Sequence, residues 1–175
     1  VTDLEDNADP ARESMDALSG ALNIRGIMLA SEKFRRDYEE ENRDFGYFYI
    51  DIHEFNTFQN KYGKEIGEKL LHLIADRIRK AAGAGSAVGR IWQDNFIVIC
   101  QAGSPEETEE RAGKIREELK KIRKAGDAPV TVYVSIGSCL YSEAKNLEQC
   151  MLLARERMKD ARGEIFGPDQ KGSFD

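Results

Sequence analysis

The chain has 175 residues, 41% hydrophobic and 33% charged, with only 4 prolines, which suits one domain with its own core and excludes a collagen-like, mucin-like or wholly disordered chain. Its 26 basic residues against 32 acidic ones give a net charge of −6, which argues against a non-specific nucleic-acid binder, because phosphate contacts need surplus Lys and Arg. No apolar run approaches the ~20 residues of a membrane span, and the acidic start is the opposite of a signal peptide's basic region. Cys100, Cys139 and Cys150 are odd in number, widely spaced and set in apolar segments. They read as buried thiols of a cytoplasmic protein, with neither a disulfide framework nor a zinc site.

Residues 1–16 hold six acids against one Arg, with Pro10 among them, so residues 1–14 read as a solvated linker or extension. The chain opens on Val1 rather than Met, which points to a piece of something longer. Asn23 is placed to cap a helix in which Ile27, Ser31, Phe34 and Tyr38 share one face. Gly46–Ile52 is short, aromatic and β-branched, a buried strand. From Lys64 to Ala82, Ile66, Leu70, Leu71, Ile74 and Ile78 recur at helical steps until Gly83. Ser86–Trp92 and Phe96–Gln101 are strand-like runs joined by the turn formers Asp94 and Asn95. Ser104 and Glu107 form a capping box around Pro105 for a helix expected to end at Gly126. Val130–Tyr141 alternates as a strand, and Asn146 caps a last helix carrying Leu147, Met151, Ala154 and Met158.

The order βαββαβ, with an extra helix at each end, predicts an α+β domain of ferredoxin-like topology over 15–167, with 168–175 a tail. A right-handed crossover makes the first two strands parallel, with the third inserted antiparallel between them. Asp51, at the end of the first strand, then becomes a neighbour of Asp94 in the hairpin turn.

Several strings in this order resemble the GGDEF family, the diguanylate cyclases and their relatives. Asp16-Ala-Leu-Ser-Gly-Ala-Leu-Asn23 is similar to the family's opening D-x-L-T-G-L-x-N. Asp51-Ile-His-Glu-Phe-Asn56, with Tyr62-Gly63 and Gly67-Glu68, is similar to D-I-D-x-F-K … Y-G-H-x-x-G-D. Arg90-Ile-Trp-Gln-Asp-Asn-Phe96 stands where R-x-G-G-D-E-F belongs, Val134-Ser-Ile-Gly137 matches V-S-I-G, and Met158-Lys159 stands where the family has A-K. The resemblance implies a cyclase-type palm that joins two GTP molecules into cyclic di-GMP across a transient homodimer, usually behind a covalently linked N-terminal sensor domain. It implies Mg2+ on Asp51, the Ile52 carbonyl and Asp94, and catalytic acids at Asp94 and at the position of Asn95. It further implies nucleotide contacts from Asn23, Phe55, Gln59, Glu68, Trp92, Gln93 and Lys159. Hard cations with carboxylates and phosphates suit such chemistry.

The departures are concentrated at the turn. Trp92 and Gln93 replace two glycines that let the backbone approach a nucleotide, and Asn95 replaces a carboxylate with an amide. His53 replaces the second Asp of D-I-D, Gln59 and Glu68 replace the guanine-reading Asn and Asp, and the terminal G-R is reversed as Arg162-Gly163. The expected reading is a GGDEF domain with a degenerate signature that is regulatory, through dimerisation or weak binding of GTP or another guanine nucleotide. The alternatives are an active diguanylate cyclase and a pure interaction domain without nucleotide. Each residue also has an ordinary reading: Asp51 and Asp94 as cap and turn former, Lys159 as a solvated cation, His53 and His72 as partly buried histidines. Trp92 is either a core anchor or a plug over a vacated site.

Overall fold

Eight consecutive buried residues, Phe45–Ile52, form β1, the strand on which the rest is assembled. A computed structural model describes residues 13–166, so the proposed extension (1–14) and tail (168–175) lie almost entirely outside the described residues. In chain order the elements are α1 (Ile24–Glu41), β1, α2 (Phe55–Tyr62), α3 (Lys64–Ala82), β2 (Ala87–Trp92) and β3 (Asn95–Gln101). They continue with α4 (Pro105–Lys120), β4 (Lys124–Ala125), β5 (Ala128–Pro129), β6 (Val134–Leu140), α5 (Tyr141–Ala144) and α6 (Leu147–Phe166). The main sheet has the order β2-β3-β1-β6, with β1 antiparallel to both β3 and β6 and β3 antiparallel to β2. Hence β1 and β2 are parallel with β3 between them, the ferredoxin-like arrangement expected from the element order.

Side-chain alternation along β1 divides the core in two. Phe48, Ile50 and Ile52 face α3 and α4 with Leu70, Leu71, Ile74, Ile78, Ile115 and Leu119. Phe45, Tyr47 and Tyr49 face α1 and α6 with Ile27, Cys150, Ala154 and Met158. Asp51 shares the parity of Tyr47 and Tyr49, so it belongs to the α1/α6 side. The three cysteines are free and buried, as their apolar settings imply.

Caps follow the local chemistry. Asn23 Oδ1 accepts from Gly26 N at 3.0 Å to start α1, and Ser104 Oγ accepts from Glu107 N at 3.3 Å to start α4. The Glu107 carboxylate accepts from Gly103 N at 2.7 Å, one residue before the position a capping box requires.

Four sequence expectations change. Asn95 is the first residue of β3, leaving Gln93 and Asp94 as the turn. The helix expected to reach Gly126 stops at Lys120, and Gly126 lies between β4 and β5 with φ +57°, a conformation that glycine adopts without a Cβ clash. Residues 130–133 are not ladder-paired, so the last strand is shorter than expected. His72 is exposed on α3 rather than partly buried.

Gly137 sets the distance between sheet and helix. A Cβ built there would lie 2.1 Å from both Ala154 O and Met158 N of α6, so the helix backbone rests directly on β6. Overpacking of this kind costs about 1–3 kcal/mol, so Gly137→Ala is expected to lower Tm by roughly 2–12 °C in a circular-dichroism melt. Gly113, inside α4, faces open space. Gly113→Ala is expected to raise Tm by about 2–4 °C, because a helical Ala replaces a residue that costs about 1 kcal/mol.

Candidate functional site

The end of β1 meets the β2–β3 hairpin through register, which pairs Asp51 with Asn95 on one side and with Ser135 of β6 on the other. The backbone joins them further, since Ile52 N donates to the Asp94 carbonyl at 2.8 Å. Asp51 is 4% exposed, and protein groups engage both of its carboxylate oxygens. Asn95 Nδ2 donates to Oδ1 at 2.8 Å, and Arg162 Nη1 lies 2.9 Å from Oδ2. The Tyr49 hydroxyl donates to Asn95 Oδ1 at 3.2 Å, which orients the amide with its NH2 toward Asp51.

Arg162 reaches the site from α6. Cys150, Ala154 and Met158 form its buried stripe at four-residue steps, and Arg162 is the next position on that stripe, one turn beyond Met158. Sequence reasoning read Arg162 only as half of a reversed G-R pair. The signal that could have found it is this spacing, together with the need of a buried Asp51 for a cation.

Other predicted residues lie around this cluster. Gln93 is exposed, and its carbonyl accepts from Arg90 Nε at 3.0 Å, while Arg90 also pairs with Asp16 at 3.3 Å. Trp92 is 69% exposed, which corrects the core-anchor reading and leaves the ring in solvent at the rim of the hairpin. Phe55 is buried at the start of α2 as part of the core. The Gln59 side chain is half-buried against Gly67, where an added Cβ would meet Gln59 Cγ at 3.0 Å. Glu68 and Lys159 are exposed. Asn23 is committed to its cap and to the Glu13 carbonyl at 2.8 Å. Asp51, Ile52, Asp94 and Asn95 are therefore brought together, whereas no hydrogen bond or ion pair among the described residues links Gln59, Glu68 or Lys159 to them. His53 lies beside the cluster with its Nε2 2.6 Å from Ser135 Oγ. An apolar cleft of about 560 Å³ opens next to it, between α2 and residues 129–134; Ile52, His53, Phe55 and Tyr62 are among its lining.

These residues are a poor fit to the Mg2+ that the resemblance implies. Asp51 Oδ1 already accepts from Asn95, and Oδ2, which has no hydrogen-bond partner among the described residues, faces the Arg162 guanidinium at 2.9 Å. Asn95 turns its NH2 rather than its oxygen inward, and no cluster of three or more His, Cys, Asp or Glu among the described residues is placed to hold a metal ion. Mg2+ needs near-octahedral oxygen ligands.

Burial pushes the Asp51 carboxyl up to about 6; Asp94 adds to the rise, while Arg162 and the Asn95 bond oppose it. Burial, reinforced by Arg162, drives His53 down to about 4. The Asp94 carboxyl is also raised, chiefly by burial. The two large shifts act in opposite senses. Asp51 contributes stability that is fully present below about pH 4 and lost as pH rises through 6, whereas His53 contributes stability that is present above about 6.5 and lost as pH falls toward 4. Asp51→Asn removes the first and leaves the second. Relative to the parent, the variant should therefore gain about 1 kcal/mol between pH 5 and pH 7.5, read from urea unfolding at the two pH values. Trp92→Ala, by contrast, is expected to change stability by no more than about 0.5 kcal/mol in the same assay, as exposed positions do.

Comparison with known proteins gives one answer. The family description "Diguanylate cyclase, GGDEF domain" matches residues 13–166. The bifunctional diguanylate cyclase/cyclic di-GMP phosphodiesterase MucR of Pseudomonas aeruginosa is 24% identical over 141 residues, 78% of this chain and 21% of MucR. Diguanylate cyclase DosC of Escherichia coli is 24% identical over 153 residues, 85% of this chain and 33% of DosC. This chain thus spans between a fifth and a third of those relatives. Among solved structures, a sensory box/GGDEF family protein from Caulobacter crescentus superposes with a TM-score of 0.79 at 26% identity, covering 86% of this chain and 99% of that one. The sheet order, the hairpin against the end of β1 and the family match over most of the length agree: the chain belongs to the GGDEF domain family.

Proposed function

We propose that this chain is a regulatory GGDEF domain of cyclic di-GMP signalling that does not turn over GTP. The observation that supports the reading most is the Asn95 amide, which donates to Asp51 at 2.8 Å from the position where the family carries a carboxylate. A donor there faces the group that a phosphoryl-transfer site would use to gather a cation. With Trp92 and Gln93 in place of glycines, the turn also lacks the free backbone that a nucleotide phosphate approaches. Phosphoryl transfer rests almost wholly on positioning and charge, and losing one such group costs about 10² to 10³ in rate.

Regulation would then run through contact rather than product. Ile24 and Met28, one turn apart on α1, are 49% and 44% exposed, an apolar strip suited to a transient homodimer or to a covalently linked N-terminal sensor domain. We take 15–167 as the domain and residues 1–14 as its acidic connection. SiaD of Pseudomonas aeruginosa, a diguanylate cyclase of the same fold solved with its activator SiaC, superposes with a TM-score of 0.79 at 15% identity over 88% of this chain and 60% of that one. Any guanine nucleotide would meet Phe55, Gln59, Glu68 and Lys159, with binding weakened by the longer Gln59 and Glu68 side chains. No helix of the described residues is long and apolar enough to cross a membrane.

Incubation with GTP and Mg2+ or Mn2+, followed by chromatography, is expected to show no cyclic di-GMP. Millimolar GTP is expected to raise Tm by about 1–2 °C at most, against the several degrees produced by a ligand at a hundred times its dissociation constant. A product peak that disappears in Asp51→Ala would establish the active-cyclase alternative instead.

A further inference from the structure

Three side chains from three elements form a line of contacts onto the carboxylate at the end of β1. The Tyr49 hydroxyl donates to Asn95, Asn95 donates to Asp51 Oδ1, and Arg162 pairs with Asp51 Oδ2 at 2.9 Å. Both contacts fall on one carboxylate whose side chain is 5% exposed: Oδ1 accepts from Asn95, and Oδ2, which has no hydrogen-bond partner among the described residues, is met by the Arg162 ion pair, whose side chain is itself only 26% exposed. Such an arrangement holds an anion; a cation site would turn oxygens inward. A guanidinium is planar, permanently charged and weakly hydrated, so it enters this partly dry position at less cost than a hydrated divalent ion.

We infer that Arg162 is a built-in cation that stands in for a divalent metal at Asp51, leaving the site metal-free and tying α6 to the end of the central strand. The inference rests on the regulatory reading above and deepens it. The site would carry its positive charge as part of the fold, so its integrity would not follow the Mg2+ concentration. Removing Arg162 would leave a buried carboxylate with one donor and an accessible second oxygen, open to the ion it now excludes.

The test is thermal unfolding of the parent and of Arg162→Gln, each in EDTA, in millimolar MgCl2 and in MnCl2, with Mn2+ uptake followed by electron paramagnetic resonance. The parent is expected to melt within about 1 °C in all three media and to take up no Mn2+ at this site, since a ligand that does not bind the folded state does not shift Tm. Arg162→Gln is expected to melt roughly 3–8 °C lower in EDTA and to recover roughly 2–4 °C with Mn2+. Adding Asp51→Asn should abolish that recovery. Arg162→Lys, which keeps a cation, should stay folded and indifferent to metal, and it carries the test if Arg162→Gln does not fold in EDTA. Mn2+ uptake by the parent that Asp51→Asn removes would overturn the inference, as would an Arg162→Gln variant that gains nothing from metal. Cyclic di-GMP is assayed on the same samples. Product from the parent would defeat the regulatory reading, whereas parent Mn2+ uptake without product would defeat this inference alone.

Discussion

A carboxylate buried at the end of a central strand constrains everything packed around it. An ionised Asp with no partner in a dry interior is far costlier than any single packing contact, so a donor or cation must reach it or it must give up its charge. Asp51 draws on both solutions. Its pKa is pushed up to about 6, and Asn95 and Arg162 approach it from two different elements. One side chain thereby couples the hairpin, the central strand and the C-terminal helix.

Arg162 reaches Asp51 because a glycine on β6 lets α6 lie close to the sheet. Gly137 allows the α6 backbone to lie on β6, and the buried stripe Cys150, Ala154 and Met158 then fixes the helix in rotation. With height and rotation set, the next residue on the stripe arrives at the β1 terminus, where β6 begins by pairing Val134 with Ile52. The Gly137 packing and the Asp51 ion pair are therefore parts of one arrangement. The first sets where the helix runs, and the second secures its far end.

The fold was largely legible because its signals are strong and local. The β-branched, aromatic run at Phe45–Ile52, the apolar stripe of α3 and the caps at Asn23, Ser104 and Asn146 each point to one element, and the chirality of the crossover leaves few topologies. What escaped was short or conditional. The eight-residue α2 sets Phe55, Phe58 and Tyr62 at helical spacing but spans only two turns, and the two-residue strands β4 and β5 are too short to show alternation, so Gly126 reads as a helix stop instead of a turn residue with positive φ. At the site, Asp51 and Asp94 were placed together by topology alone. The role of Arg162 was not legible, because a cation on a charged helix becomes a partner only through three-dimensional packing. Trp92 shows the reverse problem: the sequence leaves it open between a core anchor and a plug over the site, and the hairpin carries it out into solvent instead of into the core.

The two substitutions nearest Asp51 make sense only as a pair. Asn95 lies opposite Asp51 across β1 and β3. A glutamate there would set two carboxylates against each other, and like charges so placed repel unless a divalent ion bridges them. An amide removes one negative charge and turns the facing atom from acceptor to donor. The charge left at the paired positions is that of Asp51, which the Arg162 guanidinium faces at 2.9 Å, with the half-buried Asp94 carboxyl close by. On the regulatory reading proposed above, a position filled by protein leaves the turn little need to admit a phosphate. On that same reading the turn no longer depends on glycines, and a large ring at position 92 is accommodated because it stands in solvent. On the proposed reading, the Asn95 and Trp92 of the hairpin and the distant Arg162 of α6 answer to one change in how a buried carboxylate is neutralised.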